Sequence, residues 1–123
     1  MKQSPIYLDL TRIRLPLPGF VSILHRVSGF FLYLSMPFVL YWLERSLESK
    51  EGFDSFVSML SSFPARLSML ILLWAFFHHF CAGIRFLLLD IDIGIALGPA
   101  RTSSKWVLAA SLFLTLIAGA SLW

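Results

Sequence analysis

The chain has 123 residues, of which 58% are hydrophobic and 14% charged, with a mean hydropathy of +0.80. A soluble domain carries roughly a quarter charged residues, so this composition excludes a water-soluble globular enzyme and makes a lipid bilayer the solvent. The formal charge of +3 sits on basic residues near segment ends rather than on a stripe interleaved with stacking aromatics, so nucleic acid is not an implied partner. The single cysteine, Cys81, can form no internal disulfide and cannot hold an iron–sulfur cluster unaided.

A spanning helix needs roughly 20 apolar residues, which leaves room for about three spans in one small all-α membrane domain over residues 1–123. The first follows "RLPLPG": Pro16, Pro18 and Gly19 punctuate the chain, and an apolar run then continues from Phe20 to Leu43 before Glu44 and Arg45. Its length and the lack of a small-residue cleavage pattern predict a retained span rather than a signal peptide. The next stretch, "ERSLESKEGFDSFVSMLSSFP", mixes charge with Phe53, Phe56, Val57 and Leu60 at helical intervals, which predicts an interfacial connector with a short amphipathic turn. The second span is expected from about Ala65 to Leu89, closed by Asp90, with Gly94 to Pro99 turning the chain. The third, Trp106 to Trp123, has no charge and carries Ala109, Ala110, Ala118, Gly119 and Ala120, the small residues of a packing surface.

Three spans put the termini on opposite sides of the membrane. Lys2, Arg12, Arg14, Arg101 and Lys105 fall on the N-terminal side, against Arg45, Lys50 and Arg66 around the first loop. The positive-inside rule therefore predicts a cytoplasmic N-terminus.

Charged groups at mid-bilayer cost from about 3 to more than 10 kcal/mol, so His25, Arg26, His78, His79 and Arg85 are the functional candidates. At 1.5 Å rise per residue His79, eleven residues before Asp90, lies roughly 16 Å deep, whereas Arg85 at about 7 Å is within snorkelling reach of the boundary. Ser22 lies over Arg26 by the i, i+4 relation, which joins a hydroxyl to a guanidinium on one helix face, a fit for a quinone carbonyl. His79 lies over Gly83, whose missing side chain predicts a slot for a flat ligand one turn away. A neutral imidazole is a common haem ligand, but a membrane histidine is more often an interhelical hydrogen-bond partner, and spacing leaves both readings open. His78, about 100° around the helix and without a glycine one turn on, reads as a residue that packs or supports a neighbouring ligand rather than as a ligand itself.

"SILHRVSG" at 22–29 and "HHFCAGIRFLLLD" at 78–90 resemble the paired signatures of the cytochrome b556 subunits of succinate dehydrogenase, the large membrane anchors of respiratory complex II. The arm "LDLTRIRLPLPG", the phrase "EGFDSF" and the third span extend the resemblance over nearly the whole chain. It implies three transmembrane helices within a multi-subunit bundle in the bacterial inner membrane. A flavoprotein subunit and an iron–sulfur subunit, which carry the flavin and the iron–sulfur clusters, pass electrons from succinate to ubiquinone in the tricarboxylic acid cycle and aerobic respiration. The resemblance further implies quinone contacts from Ser22 and Arg26, and His79 as an axial ligand of haem b shared with a small hydrophobic anchor subunit. It places His25 and Arg26 near the haem propionates, with Arg85 in the haem environment. Phe86 stands where family members commonly carry a second histidine, so no iron or propionate contact of that kind comes from position 86. Two other readings stay open at this point: a fumarate reductase anchor and a non-catalytic membrane scaffold.

Overall fold

The computed structural model describes residues 15–122. The arm through Arg14, with Lys2 and Arg12, and the terminal Trp123 lie outside the described residues. Four helices follow in order, α1 (Leu17–Glu48), α2 (Lys50–Leu60), α3 (Phe63–Asp90) and α4 (Leu97–Leu122). Among the described residues α1, α3 and α4 are long and apolar enough to cross a membrane. The protein is therefore an all-α membrane protein with three spanning helices.

Proline starts the first two long helices at the positions where its missing N–H costs nothing. Pro16 caps α1 with Pro18 in its first turn, and the first helical bond runs from the Phe20 amide to the Pro16 carbonyl at 3.1 Å. Pro64 does the same for α3 behind Ser62. With 32 residues, α1 is about 48 Å long, more than the roughly 30 Å hydrocarbon core. Its excess length carries the exposed Arg45–Glu48 ion pair, closed at 2.8 Å.

Ser49, in extended conformation, ends α1 and caps α2, its hydroxyl accepting the Gly52 amide at 3.0 Å. A side chain at Gly52 would run into the Arg45 carbonyl, so the reversal needs glycine. The connector is thus a full helix. It turns Phe56, Met59 and Leu60 inward while Phe53 and Val57 face outward.

The turn after α3 is tighter than the Gly94–Pro99 stretch suggests. Asp92 and Gly94 adopt left-handed conformations, with φ of 62° and 82°, and the Ile93 amide returns to the Leu88 carbonyl at 2.9 Å. Helix α4 then begins at Leu97, so Gly98 and Pro99 belong to its first turn, where four amides have no intrahelical acceptor and proline is tolerated.

The long helices pack with α3 in the middle, against both α1 and α4. One apolar contact from each, Val21, Ala82 and Val107, forms the small buried core. The remaining buried side chains are largely polar, Ser28, His78, Arg85, Ser104, Ser111 and Thr115 among them. On α4 the buried face runs through Ser104, Val107, Ser111, Thr115 and Gly119, whereas Ala109 and Ala120 face outward. The three hydroxyls donate to carbonyls of their own helix at 2.7 to 3.0 Å, which lets small polar residues line a close helix contact without an unpaired donor.

Candidate functional site

The candidate residues gather toward the end of the bundle that holds the α1 N-terminus, the α3 C-terminus and the start of α4. They divide into three groups.

The first is an imidazole pair between α1 and α3. The rings of His25 and His79 stack in parallel, with centroids 4.0 Å apart and planes 8° apart. The Nδ1–H of His79 donates to the His25 carbonyl at 3.0 Å. A carbonyl can only accept, so this bond puts a proton on Nδ1, and the neutral tautomer with that proton carries its lone pair on Nε2. Ser28, fully buried beside them, donates its hydroxyl to the same carbonyl at 2.9 Å and lies 3.4 Å from His79 Nδ1. Phe86 meets the His25 ring edge-on at 5.1 Å.

The glycines act across helices rather than along them. The atom nearest a Cβ at Gly83 is His25 Nε2, at 3.7 Å, so His25 covers that space rather than leaving it open along the same helix. The room for His79 comes instead from Gly29 of α1, where a Cβ would lie 2.8 Å from its Cε1.

The second group is Ser22 and Arg26. They share a face of α1, with Ser22 half-buried and Arg26 exposed, and no hydrogen bond or ion pair joins Arg26 to another described residue. His25, about 100° away on the same helix, turns into the bundle instead. The structure thus separates Arg26 from the imidazole pair by helix face.

The third group centres on Arg85, which does not snorkel. It is 5% exposed, donating from Nε to the Ser103 hydroxyl at 2.9 Å and from Nη2 to the Ala100 carbonyl at 3.3 Å. Polar groups in the first turns of α4 receive the charge that the boundary was expected to receive. A third span starting at Trp106 leaves Ser103 outside it, whereas α4 starts at Leu97 and carries Ser103 in its second turn. The available signal was the hydroxyl pair Ser103–Ser104 four residues beyond Pro99, inside what is helix.

His78 is the largest fully buried side chain among the described residues. It stacks on Trp74 one turn earlier at 5.3 Å, and neither ring nitrogen has a hydrogen-bond partner. A cavity of about 530 Å³ lies at the other end of the molecule, between α1, α2 and α3, walled by Phe38, Trp42, Phe56 and Leu72 and touching none of these candidates.

Such an arrangement defines a polytopic membrane protein in which His25, Arg26, His79 and Arg85, ionisable residues within the spanning helices, lie toward one end of the bundle. Residues 1–118 match the family described as succinate dehydrogenase/fumarate reductase transmembrane subunit. The chain is 35% identical over 122 residues to the succinate dehydrogenase cytochrome b556 subunit of Coxiella burnetii, a match covering 98% of each. It is 27% identical to the cytochrome b556 subunit of Paracoccus denitrificans, over 92% of this chain and 87% of that one. With that of Rickettsia felis it shares 25% identity over 94% and 90%. The chain belongs to the succinate dehydrogenase/fumarate reductase transmembrane subunit family, on the succinate dehydrogenase cytochrome b556 branch.

Proposed function

We propose that this chain is the membrane-anchor cytochrome b subunit of a succinate:ubiquinone oxidoreductase, binding haem b jointly with a small anchor subunit and forming part of the site where ubiquinone is reduced. The observation that carries this reading is the tethered imidazole: His79 spends its Nδ1 proton on the His25 carbonyl and keeps Nε2 free. A ligand histidine needs this division of labour, with one nitrogen fixed by a backbone acceptor and the other open to the metal. Among the described residues no group of three or more His, Cys, Asp or Glu could hold a metal ion. A single imidazole therefore suits a metal whose other ligands come from a macrocycle and a partner, as in haem.

His79 would ligate the iron, and bound haem would supply one-electron redox chemistry within the membrane. His25, stacked on that ligand, and Arg85 supply the polar surroundings that propionates require. Ser22 would donate a hydrogen bond to a quinone oxygen, and Arg26 on the same face would stabilise negative charge arising there during two-electron, two-proton reduction. The chain carries no succinate-oxidising site in this reading. Flavin and iron–sulfur chemistry belong to the flavoprotein and iron–sulfur subunits, and the iron–sulfur subunit docks on the side that holds the α1 N-terminus, which is cytoplasmic in a bacterial inner membrane.

The test is a reduced-minus-oxidised optical spectrum of the solubilised complex, wild type against His79→Leu, with quinone reductase activity followed alongside. A sharp b-type α band, lost or shifted in the variant, is the expected result; an unchanged band removes His79 as ligand. The family description also covers fumarate reductase anchors, and relative rates with ubiquinone and menaquinone analogues separate the two directions. A scaffold without redox function would show no haem band in the wild-type complex.

A further inference from the structure

Helices α1 and α3 carry the same five-residue spacing, His25-x-x-x-Gly29 and His79-x-x-x-Gly83. Because the two helices run in opposite directions, each histidine lies against the glycine of the other. The pairing looks symmetric, but its tightness is not. A Cβ at Gly83 would sit 3.7 Å from His25 Nε2, an ordinary contact, whereas a Cβ at Gly29 would sit 2.8 Å from Cε1 and 3.1 Å from Nδ1 of His79. His79 is also covered on one face by the parallel His25 ring at 4.0 Å and tethered by its Nδ1 to the His25 carbonyl at 3.0 Å. The obstruction at Gly29, the stack and the tether restrict rotation of one ring, and all come from α1.

We propose that α1 is an orientation clamp for the His79 imidazole, with Gly29 and His25 as its positioning residues. The inference rests on the reading of His79 as a haem ligand and adds what sets that ligand's plane and donor strength. The angle between two axial imidazole planes governs the g anisotropy of a low-spin ferric haem. The hydrogen bond from Nδ1 raises the basicity of the ligating nitrogen and so favours ferric iron. A methyl at Gly29 forces the ring aside, lengthening the Nδ1 bond and turning the plane. Ring movement moves the g values; a weaker Nδ1 bond moves the midpoint potential to more positive values. A methyl at Gly83 meets no such obstacle.

The experiment uses the assembled complex in its own membranes, as wild type and as Gly29→Ala, His25→Ala and Gly83→Ala. It combines low-temperature electron paramagnetic resonance, a redox titration of the b-type band and succinate oxidation with an artificial acceptor as the check on assembly. Gly29→Ala and His25→Ala are expected to displace the largest g value, Gly29→Ala to raise the midpoint potential, and Gly83→Ala to reproduce wild type in both. Wild-type g values in both Gly29→Ala and His25→Ala overturn the clamp. If Gly29→Ala prevents assembly, His25→Ala decides alone, because it removes the stack and adds no bulk. A wild-type complex without a His79-dependent band overturns the haem reading and the clamp together, which distinguishes that failure from a clamp that is absent while the band remains.

Discussion

The Arg85–Ser103 contact offers a direct measure of what joins α3 to α4. Arg85 is nearly buried and gives two hydrogen bonds to α4, at 2.9 Å to the Ser103 hydroxyl and 3.3 Å to the Ala100 carbonyl. Removing the guanidinium leaves no stranded acceptor, because the Ser103 hydroxyl itself donates to Ala100 at 3.2 Å and the same carbonyl also accepts from Ser104 at 2.8 Å. Removing the Ser103 hydroxyl instead strands the buried Nε donor. A hydrogen bond to a charged group is worth about 1.5–3 kcal/mol in water-soluble proteins, but interhelical bonds in membranes average about 0.6 with a maximum near 1.7. The 2.9 Å charged bond belongs near that upper end, so a coupling of about 1–1.7 kcal/mol is expected. Ser103→Ala should therefore destabilise the wild-type background by about that amount and change almost nothing in Arg85→Met. The assay is reversible denaturation of the purified complex in mixed micelles for the four members of the double-mutant cycle. Effects that add to within about 0.3–0.5 kcal/mol would refute the reasoning. Retention of the b-type band in Arg85→Met would assign Arg85 to the helix junction, and its loss would assign it to the haem.

Arg26→Leu should lower quinone reduction by on the order of 10² to 10³ while succinate oxidation with an artificial acceptor persists, as measured in parallel on one membrane preparation. His78→Phe replaces a buried ring with two unpartnered nitrogens by an apolar ring that can keep the Trp74 stack; thermal stability should hold or rise by about 1 kcal/mol, with the haem spectrum unchanged. At Gly119 a Cβ would approach Leu70 Cδ2 to 2.7 Å, the flexible end of a side chain. Gly119→Ala should accordingly cost less than about 1 kcal/mol in the same denaturation assay, and Gly119→Val about 1–3, because the bulkier residue separates α3 from α4.

The existence of three spans and the identity of the intramembrane ionisable residues were legible in the sequence, because both follow from local composition. Other features depend on which helix meets which. The i, i+4 relation places Gly83 beside His79, but such a neighbour only shapes the surface along one helix, and the ring lies against Gly29 of another. Depth alone gives the boundary as the refuge of Arg85, but a hydroxyl and a carbonyl on α4 are nearer. Gly98 and Pro99 looked like a turn because they break helix interiors, yet in a first turn neither interrupts an existing bond.

A deeper reason lies in the solvent. In water an apolar stripe announces the buried face, because exposing that stripe would be costly while the polar remainder is readily solvated. In lipid every face can be apolar, and α1 illustrates this: Phe30, Phe31, Tyr33 and Tyr41 are all exposed, while its two buried residues are Val21 and the polar Ser28. Helix contact must then be specified by small side chains that permit close approach and by polar groups that find no partner in hydrocarbon. Those are the residues that define the interior here, from the Ser28–His25–His79 cluster to the Arg85 junction and the Ser104–Ser111–Thr115 face of α4. Three of the ionisable candidates, His25, His79 and Arg85, therefore also hold the helices in register. His25 joins the two roles most directly: its backbone carbonyl fixes the tautomer of His79, while its ring packs between α1 and α3. A substitution that changes only the His25 ring leaves that carbonyl in place, so it can separate ring packing from the tether on which the proposed ligation by His79 rests.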